Sequence, residues 1–411
     1  MTTMTDIHAD LVTPLGAYLR LRGEASFLLE SVERGRLGRY SLVGSGSRLL
    51  SFEQAEREVG AGQAVVGYLG YDHVAKLEPS VPLPREGSGL PESLFVAADT
   101  LVRFDHVTGT GEVLAGDREE IAARLEEPLA NGNGRTRLRR HATLRVPSRA
   151  AYEAQVDSAK ELIRAGDAFQ IVLSQRAERR TEASPLTVYR ALRRINPSPY
   201  LFLLELGDLS LVGSSPETLV KLEGRKASVN PIAGTTPAGE GDVVRLLASE
   251  KDRAEHVMLV DLGRNDLSRA CRPGTVRVGR YLEPERYSHV THLVSEVAGE
   301  LRPDCSPFDL LRACFPAGTV SGAPKVRAMQ IISELEGHRR GPYAGAVGYA
   351  LPNGSLDTCI GIRTVVLADG LARLQAGAGI VADSEPAAEH TECLDKLAAL
   401  EAAIDLAEKQ G

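Results

Sequence analysis

The 411-residue chain has no tryptophan and only five cysteines: Cys271, Cys305, Cys314, Cys359 and Cys393. The lack of tryptophan excludes nothing by itself. The cysteines are odd in number and no two stand at a metal-finger spacing. That argues against a disulfide-stapled secreted domain or a zinc module, and for a reduced, cytoplasmic protein. No apolar run approaches the roughly 20 residues a membrane-crossing helix needs. Residues 1–10 lack the apolar core of a secretory signal. Positive charge is not in excess, since 48 Lys and Arg face 55 Asp and Glu for a net charge of −7. Neither nucleic acid nor an anionic membrane is therefore an expected partner. A phosphate-binding Walker loop is missing too: in 318–325 (GTVSGAPK) the glycine spacing is wrong and the lysine follows a proline.

What is present is ordinary globular composition on a chain long enough to bury a large core. A small anionic substrate stays possible, because local arginines and helix N-termini bind anions whatever the net charge. Segment 128–134 (PLANGNG) collects turn formers, and 135–140 (RTRLRR) is basic. Together they predict an exposed loop between a first region, 1–130, and a second, 145–411. The loop either links two domains or lies on one continuous body. In the first region, 65–71 (VVGYLGY) predicts a strand ending in a turn. In the second, Ser148 can cap a helix whose Tyr152, Val156, Ala159 and Ile163 form one apolar face. Strands are expected over 169–176, 200–206, 211–213, 218–222, 344–350, 359–367 and 372–381. Helices are expected over 246–269, 325–336 and 387–408. Clustered strands without strict helix alternation favour a layered α+β architecture over a doubly wound parallel sheet.

Several residues carry chemistry. Asp252 and Glu255 lie three apart in one predicted helix, and Glu389 and Glu392 lie three apart in another, so each pair shares a helix face. Such pairs are common on solvated faces, but two of them converging would suit one hard cation such as Mg²⁺. The stretches 231–237 (PIAGTTP) and 375–380 (QAGAGI) read as a compact turn and as a glycine-rich segment after a strand. Either could bring backbone N–H groups close to a carboxylate, or simply allow tight packing. Arg363 is a charge in an otherwise apolar strand and needs a partner: a bound carboxylate or a core salt bridge. Glu217, His292 and Lys396 can carry acid–base work, though each residue type is more often solvated or structural.

The wording and order of these segments are more specific than any one of them. The segments are 214–217 (SSPE), 231–235 (PIAGT), 254–266 (AEHVMLVDLGRND), 288–297 (SHVTHLVSEV), 315–325 (FPAGTVSGAPK), 341–349 (GPYAGAVGY), 362–364 (IRT) and 375–381 (QAGAGIV). In them the chain resembles the chorismate-utilising enzymes of the anthranilate synthase large-subunit kind, from about residue 26 to 410. The resemblance implies a large α+β fold with two facing β-sheets and helices outside. It implies Mg²⁺ held by Glu255 and Glu392, with Asp252 and Glu389 in the surrounding acidic shell. Asp252 stands where the family usually has glutamate. Chorismate is implied near Gly234, Thr235, Thr319, Tyr343, Arg363, Gly377, Ala378, Gly379 and Lys396.

The implied reaction is amination of chorismate at C2, loss of the C4 hydroxyl and elimination of pyruvate, giving anthranilate for tryptophan biosynthesis. Glu217 is the implied acid for the departing hydroxyl and His292 the implied base for the C2 proton. Relatives that add water carry a lysine where this chain has Gln170, and aminodeoxychorismate synthases tend to have one where this chain has Ala233. Both absences favour ammonia attack at C2. Ammonia is expected from a separate glutamine amidotransferase subunit or from free ammonium. Ser31, Ser41, Pro199, Tyr200 and Leu201 match the family's tryptophan-feedback site, with Leu201 where methionine is usual. Two rivals remain. A 2-amino-2-deoxyisochorismate synthase would stop before pyruvate elimination, a reading fed by Asn230, Cys393 and Asp395, which depart from the family pattern. A non-catalytic tryptophan-binding regulatory subunit would have no need of Glu217, His292 and the acidic pairs.

Overall fold

Two apolar runs, Tyr200–Leu206 and Leu209–Ser215, form a hairpin at the centre of the molecule. Gly207 takes a φ of 70°, which lets a two-residue turn close between them. Gly213 faces the partner strand's Phe202, where a Cβ would lie 2.0 Å from the ring. Only glycine lets that ring lie flat, and Phe202 is fully buried, a burial that contributes about 1.5–3 kcal/mol.

The computed structural model describes residues 6–8, 12–31, 39–129, 138–237, 239–286 and 290–410. Two antiparallel sheets, of twelve and ten strands among these residues, stack face to face with helices on their outer sides. Phe27, Leu42, Phe202 and Leu211 of the larger sheet meet Val66, Tyr68, Val96 and Val347 of the smaller one in a shared core. This is the α+β two-sheet architecture expected. The two sequence regions are interleaved: Ala25–Glu30 pairs with Tyr200–Leu206 in one sheet, and Val65–Leu69 with Ala346–Ala350 in the other. No helix among the described residues is long and apolar enough to cross a membrane.

Ser148 caps Arg149–Arg164 as expected, and Lys325–Glu336 is helical. The 246–269 block divides into Asp242–Ala248 and Glu250–Ala270, with Ser249 capping the second helix. Three expectations need correction. The supposed turn at 231–237 is an edge strand, Ile232–Pro237, bulged at Gly234, whose φ is 73°. Its glycine and prolines mark an edge and a bulge, where both residues are tolerated. The stretch 375–380 does not follow a strand but ends one, Leu371–Ile380. The run 359–367 is two strands, Leu356–Ile360 and Thr364–Ala368, in different sheets.

Candidate active site

Two of the points at which the chain passes between the sheets are neighbours, and each carries a candidate functional residue. Glu217 lies between Leu209–Ser215 in the larger sheet and Thr218–Glu223 in the smaller. Arg363 lies between Leu356–Ile360 and Thr364–Ala368, which cross the opposite way. The crossings are bonded to each other: Ile360 N–H donates to the Glu217 carbonyl at 3.0 Å and Ser214 N–H to the Arg363 carbonyl at 3.0 Å. Arg363 adopts a φ of 51°, which is uncommon for a residue with a Cβ and costs of order 1–3 kcal/mol.

Glu217 is partly exposed, yet protein crowds its carboxyl. That desolvation pushes its pKa up to about 8, against the opposing pull of the Thr319 hydroxyl and the Lys396 ammonium. Thr319 Oγ1 is buried and has no partner in good hydrogen-bonding geometry among the described residues. Lys396 donates to the Gly377 carbonyl at 2.7 Å and to Glu392 Oε1, one helical turn away, at 2.7 Å. Arg363 donates to the Lys396 carbonyl at 3.4 Å. Burial lowers its pKa, while Tyr343 and Glu392 attract its charge. No carboxylate among the described residues lies within ion-pairing distance of Arg363. The core salt bridge is therefore not its partner, and the open alternative is a bound carboxylate.

The glycines at the end of Leu371–Ile380 make room for side chains. A Cβ on Gly377 would sit 2.7 Å from Tyr343 Oη, and one on Gly379 would sit 2.6 Å from Gln170 Nε2. Ala378 points the other way, into a core with Tyr152 and Ile331, so only its backbone can reach a substrate. Arg340 holds Tyr343 in place. It lies 4.7 Å from the Tyr71 ring centre and 5.5 Å from that of Tyr343, and it is bonded to Glu336. The sequence reading overlooked this buried pair, although Glu336 and Arg340 stand at helical i, i+4 spacing.

A second group gathers around Gly234. His292 Nδ1 lies 3.3 Å from the Gly234 carbonyl. Desolvation lowers the imidazole's pKa, opposed by that carbonyl and by Glu285, which faces His292 across the strand pair. A Cβ on Gly234 would sit 3.1 Å from the Asp252 Cβ. The side chain of Thr235 lies outside the described residues, though its backbone pairs with His292.

The acidic residues border the same glycine strand from two sides. Gln170, which is buried, donates to Glu255 Oε1 at 3.0 Å while resting on Gly379. Glu392 is tied to Gly377 through Lys396. Asp252 lies one turn before Glu255, and Glu389 is buried towards Tyr152. Among the described residues no three His, Cys, Asp or Glu side chains form a ready-made metal cluster. The donor set still fits Mg²⁺, which takes one or two carboxylates and fills its other positions with water and an anionic ligand.

A cavity of about 350 Å³ lies against Lys221, Leu222 and Glu223 of the strand Thr218–Glu223. Leu29, Ser31, Pro199, Tyr200 and Leu201 line it, together with Arg39, Arg103 and Asp357. Ser41 does not line it: Tyr40 and Leu42 do, and strand alternation turns Ser41 away to bond His106 Nε2 at 2.7 Å. Burial pushes the Asp357 carboxyl up to about 6. Tyr200 Oη, on the wall, contacts Asp357 at 3.1 Å and Thr218 Oγ1 at 2.8 Å.

The profile of the family described as chorismate binding enzyme matches residues 25–402. The chain is 44% identical to anthranilate synthase component 1 of Thermus thermophilus, covering 97% of each. It is 44% identical to the protein of that name in Streptomyces coelicolor, covering 97% of this chain and 88% of the other. The crystal structure of anthranilate synthase component I from Streptococcus pneumoniae superposes with a TM-score of 0.82 at 33% identity, covering 97% of this chain and all of that one. The menaquinone-specific isochorismate synthase of Escherichia coli shares the fold, with a TM-score of 0.77 at 21% identity over 97% of this chain and 94% of the other.

Proposed function

The chain belongs to the chorismate-binding enzymes, and from that premise we propose that it converts chorismate and ammonia to anthranilate and pyruvate. The observation that carries the reading is the meeting of opposites at the two crossings. Glu217 carries a carboxyl kept protonated up to about pH 8, and Arg363 a desolvated guanidinium that Glu392 attracts without any carboxylate of the described residues reaching ion-pairing distance. A substrate with a poor hydroxyl leaving group and two carboxylates needs both.

Glu217 gives its proton to the C4 oxygen as that C–O bond breaks, and ammonia forms a bond to C2. His292 then takes the C2 proton, the electron pair left behind completes the aromatic ring as the ring carbon–oxygen bond to the enolpyruvyl group breaks, and the released enolpyruvate takes up a proton to become pyruvate. Arg363 and Lys396 orient the carboxylates, and Tyr343 packs against Gly377 to shape the ring's floor. Glu255 and Glu392 are the residues to hold Mg²⁺, which when bound neutralises substrate carboxylate charge and fixes its orientation. We assign the supply of ammonia to a separate glutamine amidotransferase subunit, and the compartment to the cytoplasm. The deciding experiment incubates purified protein with chorismate, Mg²⁺ and ammonium and reads product mass and fluorescence. Anthranilate with equimolar pyruvate is expected. The 2-amino intermediate alone would favour the rival synthase, and unreacted chorismate would remove catalysis altogether.

The large cavity suits an amino-acid effector, and by family likeness tryptophan. Its volume falls within the roughly 300–1,000 Å³ of small-molecule sites. Arg39 and Arg103, bonded on the protein side to Asp105 and Glu112, bring positive charge to the wall for a carboxylate, and Asp357 brings an anion for an ammonium. Tyr200 links the wall to Thr218, the residue after Glu217, which gives an occupant a route to the catalytic acid. Because the chain has no tryptophan, a bound tryptophan can be followed by its own fluorescence anisotropy on a dark background. Saturable binding is expected, about ten-fold weaker in Asp357→Asn. In the parent it should also weaken as pH falls below about 6, where Asp357 takes up a proton. An anisotropy that never saturates would dismiss the effector reading.

A further inference from the structure

One buried histidine belongs to none of the roles above. His256 follows Glu255 on the Glu250–Ala270 helix and is completely buried. Its Nε2 lies 2.6 Å from Ser295 Oγ. That hydroxyl also accepts the Leu282 N–H at 3.0 Å, and the Ala233 backbone beside Nδ1 favours a hydrogen on that nitrogen, which leaves the Ser295 proton for Nε2. Nε2 is then the acceptor, and the ring's hydrogen sits on Nδ1. Nδ1 is buried with no partner in good hydrogen-bonding geometry among the described residues, and burial lowers the ring's pKa against the opposing pull of the Ala233 backbone. Ser295 also donates its N–H to the Pro231 carbonyl at 3.1 Å.

Ser295 is thus a junction. It lies three residues past His292 on Val290–Glu300 and fastens the start of Ile232–Pro237, which brings Gly234 to His292. Through Leu282, whose φ is 54°, it also fastens the bulged outer strand Arg277–Arg286, which carries Glu285. His256 adds the helix that carries Asp252 and Glu255. A buried donor or acceptor left without its partner is costly, which favours the arrangement that keeps His256 Nε2 against Ser295 Oγ. That arrangement sets how far the acidic helix stands from the strands of the base.

We propose that His256 is a positioning residue: through Ser295 it fixes Asp252 and Glu255 relative to Gly234 and His292, and so sets the affinity of the metal and chorismate sites. The inference rests on the metal reading above. The test therefore measures Mn²⁺ binding by electron paramagnetic resonance, with chorismate present and ammonia withheld, alongside KM and kcat in Mg²⁺. The parent and a Glu255→Gln control establish whether a metal site exists. Ser295→Ala should weaken Mn²⁺ binding and raise the chorismate KM by about ten-fold each, with kcat changed by less than about three-fold. Ser295→Thr, which keeps the hydroxyl, should recover most of both. His256→Phe should share the Mn²⁺ and KM defects of Ser295→Ala, which also releases the Leu282 N–H, and the double variant should be no worse than Ser295→Ala, because that variant has already lost the His256 link.

Failure of the parent to bind Mn²⁺ would overturn the metal reading and this inference with it. A parent that binds, with Ser295→Ala binding equally well or Ser295→Thr failing to recover, would overturn this inference alone. Losses that add in the double variant would do the same. If His256→Phe does not fold, His256→Leu takes its place in the cycle, with the same outcomes.

Discussion

Glu217→Gln is expected to lose at least about 10³-fold in kcat, within the range for removing a general acid, and yet to be the more stable protein at pH 8. Both effects come from one cause. Crowding by protein raises the Glu217 carboxyl to about 8 from an ordinary 4.5. A raised carboxyl favours folding while it is protonated. Its contribution is complete below about pH 4.5 and is lost as pH rises through about 8, because the unfolded chain ionises freely over that window. At pH 7 the penalty is of the order of 3 kcal/mol by linkage. Glutamine cannot ionise and escapes it, so its unfolding midpoint should exceed the parent's by a few degrees at pH 7–8, and the gap should close towards pH 4.5. In the parent, kcat/KM should fall above about pH 8 as Glu217 ionises. A variant with parental turnover would remove Glu217 from the chemistry. A variant no more stable than the parent would show that the carboxyl is not strained in the fold.

The strained carboxyl was legible only in part. The segment SSPE marked Glu217, but nothing local reveals that the chain leaves one sheet for the other there. The same holds for Arg363. A lone charge among apolar residues says that a partner is needed, and it cannot say that the strand breaks, because IGIRTVV has the composition of an unbroken one. The crossing requires a left-handed φ at Arg363, a conformation whose usual marker is glycine. Conversely, PIAGTTP carries every mark of a turn and is an edge strand, since tertiary pairing with Val290–Glu300 decides the matter. Ser41 was a matter of period: in Tyr40–Gly46 alternation puts Ser41 opposite Tyr40 and Leu42, and strand alternation could have excluded it from the cavity wall. His256 gave no signal at all. Beside two carboxylates on a helix it reads as a solvated residue, and its burial depends on Ser295, 39 positions away.

His292→Ala is expected to divide the reaction in two. The ring's Nδ1 faces the Gly234 carbonyl at 3.3 Å. If Nδ1 carries the proton, Nε2 is the basic nitrogen. Desolvation lowers the imidazole's pKa below 6.5, so the base becomes neutral while Glu217 is still an acid. The two groups thus define a window for activity, bounded below by the protonation of His292 and above by the ionisation of Glu217 near pH 8. Replacing His292 removes the acceptor of the C2 proton and leaves the protonated carboxyl that releases the C4 hydroxyl untouched. Anthranilate formation should fall by about 10²–10⁴-fold, with the 2-amino intermediate accumulating in its place and pyruvate release falling in parallel. Glu217→Gln should accumulate nothing, since its defect precedes amination. The order of the two lesions can then be read from the products. Chorismate left untouched by His292→Ala would place the histidine before C–N bond formation. Anthranilate formed at the parental rate would assign the C2 proton to some other acceptor.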